Sequence, residues 1–173
     1  GDFALENGRV TITPENPRFW CPEDPYLYDF TVEAGDDRVE SYFAIRSLEV
    51  KKAGKYPRLC LNGKPHYFHG LLDQGYDPDG IDLPACPDGY RRDIEAAKSL
   101  GFDTLRKHIR LDDPYFYYFC DLCGICVFQD FVNNGEYSFL RDTALPTVGI
   151  RRGIRRRASD IQKQNFIRAA DGM

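Results

Sequence analysis

No apolar run among these 173 residues approaches the roughly 20 needed to cross a bilayer, and none has the form of a secretory leader. Basic residues do not dominate: 23 Lys and Arg stand against 27 Asp and Glu, a net charge of −4. Nucleic acid and membrane surfaces are therefore not expected partners, because both require a dominant basic field. Methionine occurs once, as Met173, and the chain opens Gly-Asp-Phe, so it is not read as starting at a native initiator. Localisation is for that reason not inferred from the missing leader, although free thiols lean toward the cytoplasm. What is present is ample material for a core, 42% hydrophobic with 14% aromatic, which excludes general disorder and leaves small neutral substrates as natural partners.

Six cysteines in a chain this long and this apolar do not suggest a disulfide scaffold, and free thiols are expected. Cys120, Cys123 and Cys126 share the spacing that opens some iron–sulfur sites, but no fourth cysteine followed by proline completes the run. The first two fall on one apolar helical face and the third begins a strand beyond Gly124. The core reading is preferred, with no metal and no cofactor expected.

Residues 1 to 53 alternate as half-buried strands do, in Arg9–Ile12, Tyr26–Val32 and Val39–Val50, separated by Pro and Gly-Asp-Asp turns. This is an antiparallel module with only part of the roughly seven strands of an immunoglobulin-like β-sandwich. Ala53-Gly54-Lys55-Tyr56-Pro57 is the expected boundary, making 1–53 the remnant of a sandwich and 54–173 an α/β unit. A hairpin follows, in which Leu59–Leu61 and His66–Phe68 flank an Asn62-Gly63 turn suited to positive φ.

Beyond it the pattern predicts a helix from Asp88 to Leu100, a strand from Phe102 to Ile109, and a helix with Asp113 as N-cap, Pro114 in its first turn and Gly124 as its stop. The strand Ile125–Asp130 comes next, then a long loop over 133–150 and a last helix over 154–170. Alternation of strand and helix predicts a parallel sheet, the start of an incomplete (β/α)8 TIM barrel, because a complete one takes about 250 residues. Truncation at both ends is the expectation, with open edges where neighbouring strands would pair.

Three successive strand ends carry polar groups: Asp73 and Gln74 within Gly70–Gly80, then Thr104, Arg106 and His108, then Asp130 and Asn133. In a β/α barrel the C-terminal strand ends build the active site. Period two puts Thr104, Arg106 and His108 on one face, so His108 is a candidate for contact with sugar hydroxyls or a carboxylate. A carboxylate and an amide at 73 and 74, and again at 130 and 133, suit hydroxyl recognition. Local turn capping explains the same residues without any ligand, and a hydrogen-bonded structural histidine explains His108. Asp73 and Asp130 as an acid and nucleophile pair is the sharper but less favoured reading. Trp20 is either a sugar-stacking platform, which would make this a non-catalytic carbohydrate-binding or interaction module, or a core residue. The Arg-rich run 151–157 is read as a solvated face.

Taken in order, Phe43-x-Ile45-Arg46, Leu61-Asn62-Gly63-Lys64-Pro65, Arg92-Asp93-Ile94, Lys98-x-Leu100-Gly101-Phe102, Leu105-Arg106-x-His108 and Cys120-Asp121-x-x-Gly124 resemble glycoside hydrolase family 2, the β-galactosidase and β-glucuronidase group. The resemblance implies the end of an immunoglobulin-like middle domain followed by the start of a catalytic barrel, joined in the parent enzyme to the remainder of its chain. It implies hydrolysis of β-glycosides with retention, which needs two carboxylates flanking the glycosidic bond and no cofactor. The family's acid/base glutamate follows an asparagine, and no Asn-Glu pair follows the third strand, so both catalytic glutamates are expected beyond Met173 and this polypeptide alone is expected to be inactive. Arg106 matches the family's arginine at the end of the second barrel strand, where a guanidinium can hold the nucleophile ionised. Asp73 and Gln74 stand where relatives often carry Asn-x-His, so sugar specificity does not carry over.

Overall fold

The computed structural model describes residues 8, 10–131, 137–149 and 159–172. The first strands form an antiparallel pair, β1 (Tyr28–Ala34) and β2 (Asp37–Phe43), joined through Gly35 at φ +62°. Next comes a three-stranded antiparallel sheet of β3 (Leu48–Ala53), β4 (Tyr56–Leu61) and β5 (Lys64–Pro65). A parallel sheet in the order β6 (Gly70–Asp73), β7 (Thr104–Lys107), β8 (Cys126–Gln129) follows, with α1 (Pro87–Ser99) and α2 (Pro114–Cys123) as its connections. A π-helical turn (Phe139–Ala144), a short α3 (Leu145–Thr147) and α4 (Asp160–Asp171) complete it.

The parallel order agrees with the alternation read from sequence, and so do the caps. Asp113 accepts from the Tyr115 N–H, Pro114 fills the first turn where its missing N–H costs nothing, and Gly124 ends α2 at φ +76°. Apolar faces of the two helices meet Leu105 and Ile125 in one core of Ile94, Ala97, Phe116, Phe119 and Cys120. Burial raises the Cys126 thiol to about 11 and pushes that of Cys120 further up, which suits packing rather than thiolate chemistry.

Several expected elements are shorter or divided. The expected strand over 39–50 breaks in two because the Ile45 carbonyl accepts from the Trp20 N–H, and β2 and β3 lie in different sheets. Residues 10–12 form no strand, and Arg9 lies outside the described residues. The second arm of the Asn62-Gly63 hairpin is only two residues long: Pro65 has no N–H to give, and after one bond from the His66 N–H to the Leu59 carbonyl the chain leaves the sheet. The turn itself forms as read, with φ +50° at Asn62 and +78° at Gly63. Gly54-Lys55, the expected boundary, is the tight turn of the β3–β4 hairpin, so hydrogen bonding continues across it. Strand β7 ends at Lys107, and Ile109 takes φ +51° as the chain turns away. The final helix starts at Asp160 behind a Ser159/Gln162 capping box, while 154–158 lie outside the described residues.

The two halves are fastened around Trp20, which is fully buried. Its indole N–H donates to the Asp121 carbonyl at 2.8 Å, and the Asn62 amide donates to its own carbonyl at 2.9 Å. Arg46 lies over the ring, 4.6 Å from its centroid, and bonds the Asp121 carboxylate at 2.8 Å. Tyr42 donates to the other Asp121 oxygen, and burial together with that charge pushes its phenol up to about 12. Lys98 ties Pro22 O to Gly124 O at 2.8 and 2.6 Å. Arg46, Asn62, Lys98, Asp121 and Gly124, all in the motifs that carried the family resemblance, thus hold the antiparallel module against the β/α sheet.

Candidate functional site

Two faces of the parallel sheet have different fates. Leu105 and Lys107 point into the layer covered by α1 and α2, whereas Leu72, Arg106 and Phe128, aligned in register, leave an open face. Arg106 projects from that face beside the end of β8. Its Nε and Nη2 donate to the two oxygens of Asp130 at 3.1 and 2.9 Å, a bidentate pair. Arg106 hydrogen bonding is the main cause that holds the Asp130 carboxyl below its usual range, with partial desolvation opposing and the Arg106 charge, His108 and the Ile109 N–H adding. Asp130 is thus a fixed carboxylate, not a proton donor. The Nη1 hydrogens of Arg106 stay available to a ligand or to a second carboxylate.

Gln74 and His108 form the second pair, amide nitrogen to imidazole Nδ1 at 3.2 Å. They are drawn together because the His108 N–H donates to the Asp73 carbonyl, extending the β6–β7 ladder by one residue. Of the six residues singled out from sequence, the structure therefore brings Arg106 to Asp130 and Gln74 to His108 at one end of the sheet. Asn133 lies outside the described residues.

Asp73 goes elsewhere. Opposite Lys107 in register, it shares that residue's face, and its carboxylate accepts from the Lys107 ammonium at 2.7 Å and the Gly75 N–H at 2.7 Å. Lys107 is 1% exposed, contacts Asp112 as well, and lies 4.3 Å from the Phe116 ring centroid. Arg110 and Tyr90 reach the other Asp112 oxygen. Tyr117 donates to Gln129 at 2.7 Å, whose amide donates to the Arg110 and Asp130 carbonyls. Arg110 also clamps the loop after β6 by bonding Gly75 O and Asp82 O, and Gly75 itself takes φ +62°, a backbone state that L side chains rarely adopt.

This ion network went unnoticed in the sequence. The only available signal was a lysine in step with Leu105, on the apolar side of its strand. A cavity of about 320 Å³ sits over it, bounded by Tyr90, Asp112 and the 74–84 loop. Neither aspartate is a free acid, so the geometry does not favour Asp73 and Asp130 as an acid and nucleophile pair. Full burial of Trp20 likewise removes it as a surface platform for sugar.

Comparison with known proteins adds a family. Residues 2–46 match the model described as glycosyl hydrolases family 2. A beta-galactosidase of Pseudoalteromonas haloplanktis is 29% identical over 126 residues, covering 69% of this chain and 12% of that protein. One from Thermoanaerobacter pseudethanolicus is 31% identical over 127 residues, covering 69% and 16%. The solved beta-glucuronidase of Faecalibacterium prausnitzii, 28% identical, superposes with a TM-score of 0.64 over 74% of this chain and 21% of its own. The chain thus spans less than a fifth of the curated relatives it matches.

Proposed function

This chain belongs to the glycosyl hydrolases of family 2, and from that membership we propose that it contributes part of the sugar pocket of a retaining β-glycosidase. In this reading residues 1–53 are the last strands of an immunoglobulin-like sandwich. Residues 54–173 open a (β/α)8 barrel, with the Leu72–Arg106–Phe128 face turned to its interior. The single observation that carries the proposal is the Arg106–Asp130 pair, bidentate, solvent-accessible and at the C-terminal ends of parallel strands, where barrels of this kind place their chemistry.

Retention demands one carboxyl that protonates the leaving oxygen and one carboxylate that attacks the anomeric carbon, about 5–5.5 Å apart. Asp73 is bound by Lys107 and Asp130 by Arg106, so neither is suited to either task. The proposal assigns both tasks to glutamates outside these 173 residues and gives Arg106 the task of keeping a neighbouring nucleophile ionised. Gln74 and His108 offer an amide and an imidazole to sugar hydroxyls, and Asn133 is assigned the same task from its place after β8. The substrate is a β-glycoside, with no cofactor in the chemistry.

A panel of aryl β-glycosides, assayed with this chain and with a longer polypeptide that continues it through further β/α units, tests this. The expected result is hydrolysis only by the longer form, with Arg106→Ala lowering its kcat/KM by about 10²-fold as the attacking group loses its position. Hydrolysis by the 173-residue chain that disappears on Asp73→Asn or Asp130→Asn would overturn the assignment.

A further inference from the structure

An open groove of about 710 Å³ runs between the β1–β2 pair and the start of α2, lined by none of the strand-end residues. That volume is within the range of small-molecule sites, about 300–1,000 Å³. Strand register builds one wall: Asp29 stands opposite Tyr42 and Thr31 opposite Glu40. Tyr115 and Tyr118 form the other. We propose that this groove is a second carbohydrate-binding site, specific for neutral di- or oligosaccharides and separate from the strand-end pocket.

Its rings are open yet held. Tyr42 is fixed by its bond to Asp121 and lies 5.3 Å from Tyr118, centroid to centroid, while Tyr115 stacks on Phe119 at 6.4 Å. Tyr115 is still 52% exposed and Tyr118 36%. Rigid, accessible aromatic faces suit the apolar C–H faces of pyranose rings and cost little entropy on binding. The Asp29 side chain makes no hydrogen bond or ion pair among the described residues, so its oxygens are free to accept from sugar hydroxyls. Glu40, held by Arg38 at 3.2 Å, stands on the same face with the Thr31 hydroxyl opposite it. No Lys or Arg lines the groove. With Glu40 ion-paired to Arg38, the unpaired Asp29 is the carboxylate that disfavours a uronic acid relative to the uncharged sugar.

The proposal rests on this lining and not on the Arg106 reading, and all the groups named belong to the 173-residue chain. Isothermal titration with a neutral β-linked disaccharide and with its uronic-acid counterpart tests it, circular dichroism reporting that each variant is folded. Saturable binding of the neutral sugar is expected, weakened about fivefold or more by Tyr115→Ala and by Asp29→Asn, on the scale of one lost aromatic or hydrogen-bonding contact. Arg106→Ala should leave it unchanged, and the uronic acid should bind more weakly. Binding lost with Arg106→Ala but kept in both groove variants would overturn the proposal and locate sugar at the strand ends. Absence of sugar binding in folded protein, or uptake of a quaternary ammonium ion in place of sugar, would overturn it too, and neither would touch the hydrolase reading, which the longer polypeptide decides.

Discussion

Trp20 and Asp121, 101 residues apart, are joined by a 2.8 Å hydrogen bond from the indole N–H to the helix carbonyl, at the centre of the contact between the antiparallel module and α2. Replacing Trp20 by Ala removes the largest fully buried side chain and should destabilise the fold by about 3–5 kcal/mol. Trp20→Phe should retain most of the packing and lose about 1–3 kcal/mol as the Asp121 carbonyl goes unpaired. Urea denaturation measures both, and equal losses for the two would mean that packing at this position counts for little.

Lys107 is the second sensitive point. Lys107→Met leaves Asp73 and Asp112 without their shared buried cation, a change expected to cost about 3–5 kcal/mol. Combining it with Asp112→Asn should recover part of that loss. Strict additivity of the two substitutions in chemical denaturation would show that the groups are not coupled.

The pairing of Asp130 with Arg106 makes a prediction about pH. Because the folded-state carboxyl is depressed, its stabilising effect is present above the unfolded carboxyl range, near 4, and is lost as pH falls through the lower folded value. Arg106→Gln should move the Asp130 midpoint upward toward the ordinary aspartate value. Carboxyl carbon NMR reads this directly, and an unmoved midpoint would show that the pair does not persist in solution.

Gly124 ends α2 at φ +76°, and a Cβ there would lie 2.4 Å from the Pro22 carbonyl oxygen. Gly124→Ala should therefore cost more than the roughly 1–2 kcal/mol of a left-handed L-residue alone, since the Lys98 bridge must also shift. A melting temperature within a degree of the parent would contradict this close approach.

Thiol chemistry separates the six cysteines. Cys86 is exposed, whereas Cys60, Cys120 and Cys126 are buried, the last two with raised thiols. An alkylating reagent at pH 8 should label Cys86 in the native protein and reach Cys120 and Cys126 only on unfolding. Early labelling of Cys120 would mean that the α1–α2 core opens readily.

Much of this protein was legible before its structure, because the signals are local. Asp113-Pro114 and Gly124 bound α2 through the backbone groups at its two ends, and Tyr90, Ile94 and Ala97 mark the buried face of α1 by spacing alone. Asn62-Gly63 names its own turn, since few other residue pairs tolerate two positive φ angles. The strand-end position of Arg106 was equally readable from the succession of strands and helices.

Side-chain partnership was a different matter, because it depends on register between strands that the sequence keeps some 30 residues apart. Asp73 and Asp130 look alike as carboxylates closing strands. Only the alignment of Asp73 with Lys107 sends the first beneath the helices, and only the turn after β8 brings the second to Arg106. Trp20 gave no local hint of choosing between surface and core, as its hydrogen-bond partner lies 101 residues on. Hydrophobic period and turn chemistry, both short-range, were thus determined by the sequence itself, while the pairing of buried charge and the burial of Trp20 were decided by tertiary structure, where desolvation requires every enclosed polar group to find its partner.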